Sequence, residues 1–173
     1  MSIRHRPVYR HQELTRLFNP RTVAVVGATP NPAAVATRTL NNLAQFEGKV
    51  YRVNPRYDKI GDATCYPSLA ALPEPTDCAV FCVPREGIEA ALIDGANGGI
   101  GGAVVFASGY TETGLPERAA EQARLTAIAR EANIKLIGPN CLGYLNYNSL
   151  GLVAFASGEM RIQKPREIGR AHV

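Results

Sequence analysis

The chain is predicted to fold as an α/β domain, a doubly wound, mostly parallel sheet of about five to seven strands with helices on both faces. Short β-branched apolar runs recur along it, of the kind buried on both faces of a parallel sheet. Segments with apolar residues at helical spacing alternate with those runs. The runs end in corners rich in Gly, Pro and Asn. Strand–helix–strand alternation implies right-handed crossovers, and ligands of such sheets bind outside the carboxyl ends of the strands.

Thr22-Val23-Ala24-Val25-Val26 is the first strand, and it opens into Gly27-Ala28-Thr29-Pro30-Asn31-Pro32. Ala33 to Phe46 follows as a helix with Ala36, Leu40 and Leu43 on one face. Val50 to Val53 is the second strand, closed by Asn54-Pro55. Cys78 to Val83 is the third, ended by Pro84, which cannot donate to a ladder. A helix from Arg85 to Asp94 places Ile88 and Leu92 one turn apart. Ala103 to Phe106 makes the fourth strand, broken by Ser108-Gly109-Tyr110. Glu117 to Ala132 is a helix with Leu125, Ile128 and Ala132 inward, and Ile134 to Ile137 is a strand stopped by Gly138-Pro139. The glycine run from Gly95 to Gly102 precedes a strand instead of following one, so it reads as a helix C-cap and a connection with no binding role. Leu150 to Ala156 is one further apolar segment, and Ser157 to Val173 lacks a core pattern. Glu167 to Val173 resembles read-through of a sequencing adapter more than natural protein and is set aside from fold reasoning.

A length of 173 residues suits one domain, and 46% hydrophobic with 20% charged residues is a soluble globular composition. No apolar run approaches the ~18 residues of a membrane span, and the N-terminus lacks the apolar stretch of a secretory signal. A cytoplasmic protein with no membrane partner is expected. The formal charge of +4 resides in the first 21 residues, where Arg4, Arg6, Arg10, Arg16 and Arg21 face Glu13 alone. That arm has no lysine cluster and no interleaved aromatics, which favours packing on the domain edge over nucleic-acid binding. Cys65, Cys78, Cys82 and Cys141 show no C-x-x-C spacing and no neighbouring histidine, so no metal site is expected. Cys78 and Cys82, four apart in a strand, read as apolar fillers on one face.

The corners carry a family likeness. It rests on Leu17-Phe18-Asn19-Pro20-Arg21-Thr22-Val23-Ala24-Val25-Val26-Gly27-Ala28-Thr29, Val53-Asn54-Pro55-Arg56-Tyr57, Cys65-Tyr66-Pro67-Ser68-Leu69 and Val83-Pro84. It continues through Ser108-Gly109-Tyr110-Thr111-Glu112-Thr113-Gly114 and Gly138-Pro139-Asn140-Cys141-Leu142-Gly143. In this ordered set the chain resembles the N-terminal CoA-binding domain of NDP-forming acyl-CoA synthetases, the acetate–CoA ligase type related to the succinyl-CoA synthetase alpha subunit. The resemblance implies a Rossmann-like fold with coenzyme A as ligand. It also implies a division into a basic arm (1–20), a CoA-binding domain (21–148) and a truncated linker (149–173). The reaction it implies is reversible, acyl-CoA with ADP and phosphate giving carboxylate, CoA and ATP. Phosphohistidine and ATP-grasp domains would be partners, in cis or as a separate subunit. The chain departs from that family at Ala36 and Thr37, where relatives carry glycine.

The chemistry of the corners agrees with a phosphate-bearing ligand. The dinucleotide pattern G-x-G-x-x-G would place glycines where Thr29 and Pro32 stand, which argues against NAD. The N–H groups of Thr29 to Ala33, apart from those absent in Pro30 and Pro32, suit a pyrophosphate at a helix N-terminus. The Thr29 hydroxyl and Asn31 amide either assist or cap the helix, and both roles use one geometry. Arg56 stands where an NAD enzyme carries an acid; it suits the phosphates of CoA or NADP, or is a solvated surface arginine. Val83 and Pro84 offer an apolar wall. Ala107, Ser108 and Gly109 leave room for a pantetheine arm, and Asn140 with Cys141 matches family residues near the thiol end. Cys141 is not expected to be a nucleophile, because no base is near it in sequence. The histidines His5, His11 and His172 all lie in the terminal segments, so no catalytic residue is assigned and the chain is expected not to turn over alone. An NADP-binding oxidoreductase module and a CoA-sensing domain of an acetyltransferase fusion are the alternative readings.

Overall fold

The computed structural model describes residues 8–147 and 151–154. In chain order the strands of the main sheet are β1 (Thr22–Val26), β2 (Lys49–Val53), β3 (Lys59–Ile60), β4 (Ala63–Tyr66), β5 (Cys78–Phe81), β6 (Gly102–Val105) and β7 (Lys135–Ile137). A separate hairpin comprises β8 (Gly143–Asn146) and β9 (Gly151–Ala154). The helices are α1 (Thr15–Phe18), α2 (Val35–Asn42), α3 (Arg85–Asn97) and α4 (Pro116–Glu131). The sheet runs β3-β4-β2-β1-β5-β6-β7, parallel throughout except for β3 against β4.

The strand pattern follows from side-chain alternation about a central sheet. Every residue of β1, β5 and β6 is buried. Ala24 and Val26 point into a layer with Phe81, Ile88, Leu92 and Leu125, built by α3 and α4. Val23 and Val25 point into the opposite layer with Ala36, Leu43 and Phe46. Each such aliphatic or aromatic side chain stabilises the fold by about 1.5–3 kcal/mol on burial. The doubly wound architecture is therefore present, with seven strands in its sheet. Cys78 and Cys82 do share one face, in the layer under α2.

Several boundaries shift for physical reasons. β5 stops at Phe81, although the Cys82 N–H still donates to Val26 O at 2.9 Å, because Pro84 ends the ladder two residues on. α2 is shorter than the expected Ala33–Phe46: it starts at Val35, and Leu43 closes it before a turn carries Phe46 inward. The edge strand β3 and its neighbour β4 have no apolar run to announce them. Gly98 caps α3 and Gly102 enters β6, as the glycine run suggested.

Side chains outside the span 21–148 also pack into the core. Leu17 is 2% exposed inside the core, so the basic arm is part of the domain from α1 onward. Arg16 binds Asp77 Oδ1 at 3.0 Å and the carbonyls of Thr76 and Gly99 at 2.9 Å each. At the other end, Val153 is fully buried and Asn42 Nδ2 donates to Ala154 O at 2.7 Å. Val153 and Ala154 thus add to the core beyond residue 148. The Tyr144 hydroxyl donates to Leu17 O, Asn146 Nδ2 donates to Phe18 O at 2.6 Å, and the Phe18 and Tyr144 rings meet edge-on at 5.4 Å. The adapter-like stretch 167–173 and the arginines of residues 1–7 lie outside the described residues.

Candidate functional site

The first corner is built on a backbone that only glycine tolerates. Gly27 has φ +87°, and a Cβ there would meet Cys82 O at 2.8 Å and Val83 Cγ1 at 2.9 Å. Its N–H and that of Ala28 both donate to Val53 O, at 2.8 and 3.2 Å, which draws the ends of β1 and β2 together. Beyond it the loop folds on itself. Asn31 N–H donates to Thr29 Oγ1 at 3.3 Å and Ala33 N–H to Asn31 Oδ1 at 3.0 Å. Thr29 and Asn31 therefore neither cap α2 nor offer those N–H groups freely. Ala34 is the N-cap, and no side chain caps the helix. The missed participant is Thr37, whose hydroxyl sits between Asn31 O at 2.7 Å and Thr29 O at 2.9 Å and locks the loop. A hydroxyl at a position where glycine was expected accounts for that lock.

The second corner is held by Asn54. Its Nδ2 donates to Ala28 O at 2.8 Å across to the first corner, and its Oδ1 accepts the Arg56 N–H at 2.9 Å. Arg56 itself is exposed at the rim. The third corner, Val83-Pro84, leads directly into α3, with Pro84 as its N-cap. From α3, Asp94 accepts the N–H groups of Leu69 at 2.6 Å and Ala70 at 3.4 Å, fixing the Pro67-Ser68 turn as a facing wall. Between these corners lies a cleft of about 480 Å³ lined by Gly27, Arg56, Val83, Pro84, Pro67 and Asp94, among others.

The structure thus brings together Gly27, Arg56, Val83 and Pro84 from the expected set. Thr29, Pro30, Asn31 and Pro32 form the adjoining loop and do not line that cleft. Ala107, Ser108, Gly109 and Asn140 form a second cluster over the ends of β6 and β7, where Asn140 N–H donates to Ala107 O at 2.9 Å. Glu112 holds that cluster by accepting Gly109 N–H at 2.6 Å and Tyr110 N–H at 3.1 Å, and these bonds keep its carboxyl below the usual range. Beneath it, Arg85 pairs with Glu121 and Glu86, and Glu121 also takes Arg118 at 2.7 Å. Sequence reasoning passed over Asn54, Pro67, Ser68 and Asp94 as lining residues, although the first three stand in the quoted motifs.

The thiols are quiet. Burial pushes Cys78 and Cys82 up to about 12 and raises Cys141 as well. Cys141 Sγ faces Val105 O at 3.3 Å, so it packs as a protonated thiol. Among the described residues no group of three or more His, Cys, Asp or Glu is placed to hold a metal ion, and no helix is long and apolar enough to cross a membrane.

The family described as CoA binding domain matches residues 21–147. Acetate–CoA ligase [ADP-forming] I of Archaeoglobus fulgidus is 40% identical over 133 residues, covering 77% of this chain and 19% of that protein. The alpha subunit of acetate–CoA ligase [ADP-forming] II of Pyrococcus furiosus is 35% identical over 134 residues, covering 77% and 29%. Among solved structures, the dinucleotide forming acetyl-coenzyme A synthetase 1 of Ca. Korarchaeum cryptofilum, in complex with phosphate and ADP, superposes with a TM-score of 0.77 at 36% identity. That match covers 83% of this chain and 31% of that one. The chain therefore spans less than a third of these relatives. It belongs to the CoA-binding domain family, is homologous to the corresponding part of ADP-forming acyl-CoA synthetases, and has coenzyme A as its family ligand.

Proposed function

We propose that this member of the CoA-binding domain family holds coenzyme A in the cleft between the Gly27 turn, the Asn54-Pro55-Arg56 corner and Val83-Pro84. The observation that carries the reading is that Gly27 and Arg56, contributed by different strand ends, line one cleft. The phosphates face the Gly27 turn, the start of α2 and the Arg56 guanidinium, which suits phosphate by its planar set of donors. Val83, Pro84 and Pro67 give the apolar surface an adenine needs. The pantetheine arm runs along Ala107, Ser108 and Gly109 toward Asn140 and Cys141.

The whole protein is then an ADP-forming acyl-CoA synthetase acting in the cytoplasm, joining a carboxylate to CoA reversibly at the expense of ATP. The phosphohistidine and ATP-grasp units lie outside this chain, in cis or on another subunit. Support comes from the relatives' names and from the histidine distribution, since His11 is the sole histidine among the described residues and sits far back on the N-terminal turn.

Calorimetric titration of the 173-residue chain with CoA, NADPH and NAD tests this. CoA heat without NADPH or NAD heat is the expected result, and Arg56→Ala weakens CoA about tenfold with an unchanged melting temperature. NADPH binding with no CoA heat would overturn the reading.

A further inference from the structure

Asn54 makes more connections across the cleft than any role as a turn residue requires. Its main-chain N–H donates to Tyr66 O at 2.9 Å, and its carbonyl takes the Cys65 thiol at 3.7 Å, so β4 fixes its backbone. The preceding carbonyl, Val53 O, accepts both Gly27 and Ala28 N–H. From that anchored position the side-chain amide spans the two corners. One end satisfies the inward carbonyl of Ala28, which is fully buried, and the other sets the Arg56 backbone. Both ends of the amide are used by groups of opposite polarity, so its orientation is determined: nitrogen toward Ala28 O, oxygen toward Arg56 N–H.

We infer that Asn54 is a specificity-determining positioning residue: a strut that sets the spacing between the Gly27 turn and Arg56, and so selects a ligand carrying a diphosphate and a second phosphate on its ribose. The inference rests on the CoA reading above. In dinucleotide-binding sheets the end of the second strand is where the ribose is met. A cation at that corner, in place of an acid, calls for a phosphorylated ribose, and CoA carries its extra phosphate at the 3′ position. The diphosphate and the ribose phosphate sit at a fixed covalent separation, so two anion-binding elements serve both only if their own separation is fixed. Asparagine is the residue type that does this. Aspartate would turn a carboxylate oxygen against Ala28 O and put negative charge between the two anion sites. Serine is too short to reach Ala28 O.

The test is the ratio of affinities for CoA and 3′-dephospho-CoA, each measured by calorimetry on the same sample of the 173-residue chain. Both titrations share any unfolded fraction, so the ratio is insensitive to lost stability. The wild type is expected to favour CoA by about tenfold, and Arg56→Ala to bring the ratio near one. Asn54→Asp and Asn54→Ser should lower the ratio to about threefold or less while dephospho-CoA binding falls less than CoA binding. If both Asn54 variants weaken the two ligands equally and keep the wild-type ratio, the residue is scaffold only and the inference is overturned. A wild type that binds CoA and dephospho-CoA equally removes the ribose-phosphate assignment, and the strut with it, yet leaves CoA binding intact. A wild type that binds neither defeats the underlying reading instead.

Discussion

The two ends of the sheet are tied in different ways. At the amino ends of the strands, side chains bridge segments far apart in sequence: Arg16 reaches Asp77, Thr76 and Gly99, Tyr144 reaches Leu17, and Asp77 Oδ2 takes the Arg21 N–H at 2.8 Å. At the carboxyl ends the polar groups mostly satisfy their own loops, as Asn31 does for Ala33 and Glu112 for Gly109. Asn54 to Ala28 is a corner-to-corner side-chain bond on that rim. One end is closed by long-range bonds, whereas the other combines bonds within its loops with bridges such as Asn54 to Ala28 and Asp94 to Leu69, and the space those corners frame is the cleft. A parallel sheet can host a ligand at one end because the opposite end supplies the cohesion.

The largest expected effect breaks this division. Gly27→Ala forces a side chain onto φ +87° and against Cys82 O, at a cost of about 2–4 kcal/mol in stability, and it abolishes CoA binding. Urea unfolding with calorimetry on the same protein checks both, and a variant of wild-type stability would show that the rim backbone is softer than its geometry implies. Asp77→Ala should cost about 1–3 kcal/mol, because it strips partners from Arg16 and from the Arg21 N–H. Its CoA affinity should stay within about twofold, since distant sites act independently; a larger loss would mean that the two ends are coupled.

The smallest effect concerns acid. Glu112 titrates below its ordinary value of 4.5 because it accepts the Gly109 N–H, with its own and the Tyr110 N–H adding to the effect. Its folded value lies below its unfolded value, so its contribution is complete above about 4.5 and fades as pH falls through the folded value. Thermal melts between pH 6 and pH 3 should show a shallower acid limb for Glu112→Gln than for the wild type, the wild type melting higher at pH 6 and the two converging toward pH 3.

Central strands were legible because Val23, Val25, Val80 and Val104 announce burial on both faces by composition alone. β3 and β4 were not, since strands of two and four residues at the margin of the sheet carry no apolar run. That Gly27, Arg56, Val83 and Pro84 share one cleft was readable from their place after strands. Thr29 and Asn31 bond within their own loop for a chemical reason: a hydroxyl or amide that could cap a helix or meet an anion can equally fold the loop that carries it. Thr37 and Asn54 act through carbonyls that spacing does not reveal, eight and 26 residues away. Arg16 reads as arm charge in the sequence, whereas its partners are the Thr76 and Gly99 carbonyls and the half-buried Asp77 carboxylate just before β5.

The contact of α1 with the β8–β9 hairpin has an architectural consequence. Leu17 and Phe18 touch Tyr144 and Asn146, so the first helix and the hairpin brace each other at the amino ends of the strands. The Archaeoglobus relative and the Pyrococcus alpha subunit, of which this chain matches 19% and 29%, differ in how much protein surrounds the shared module.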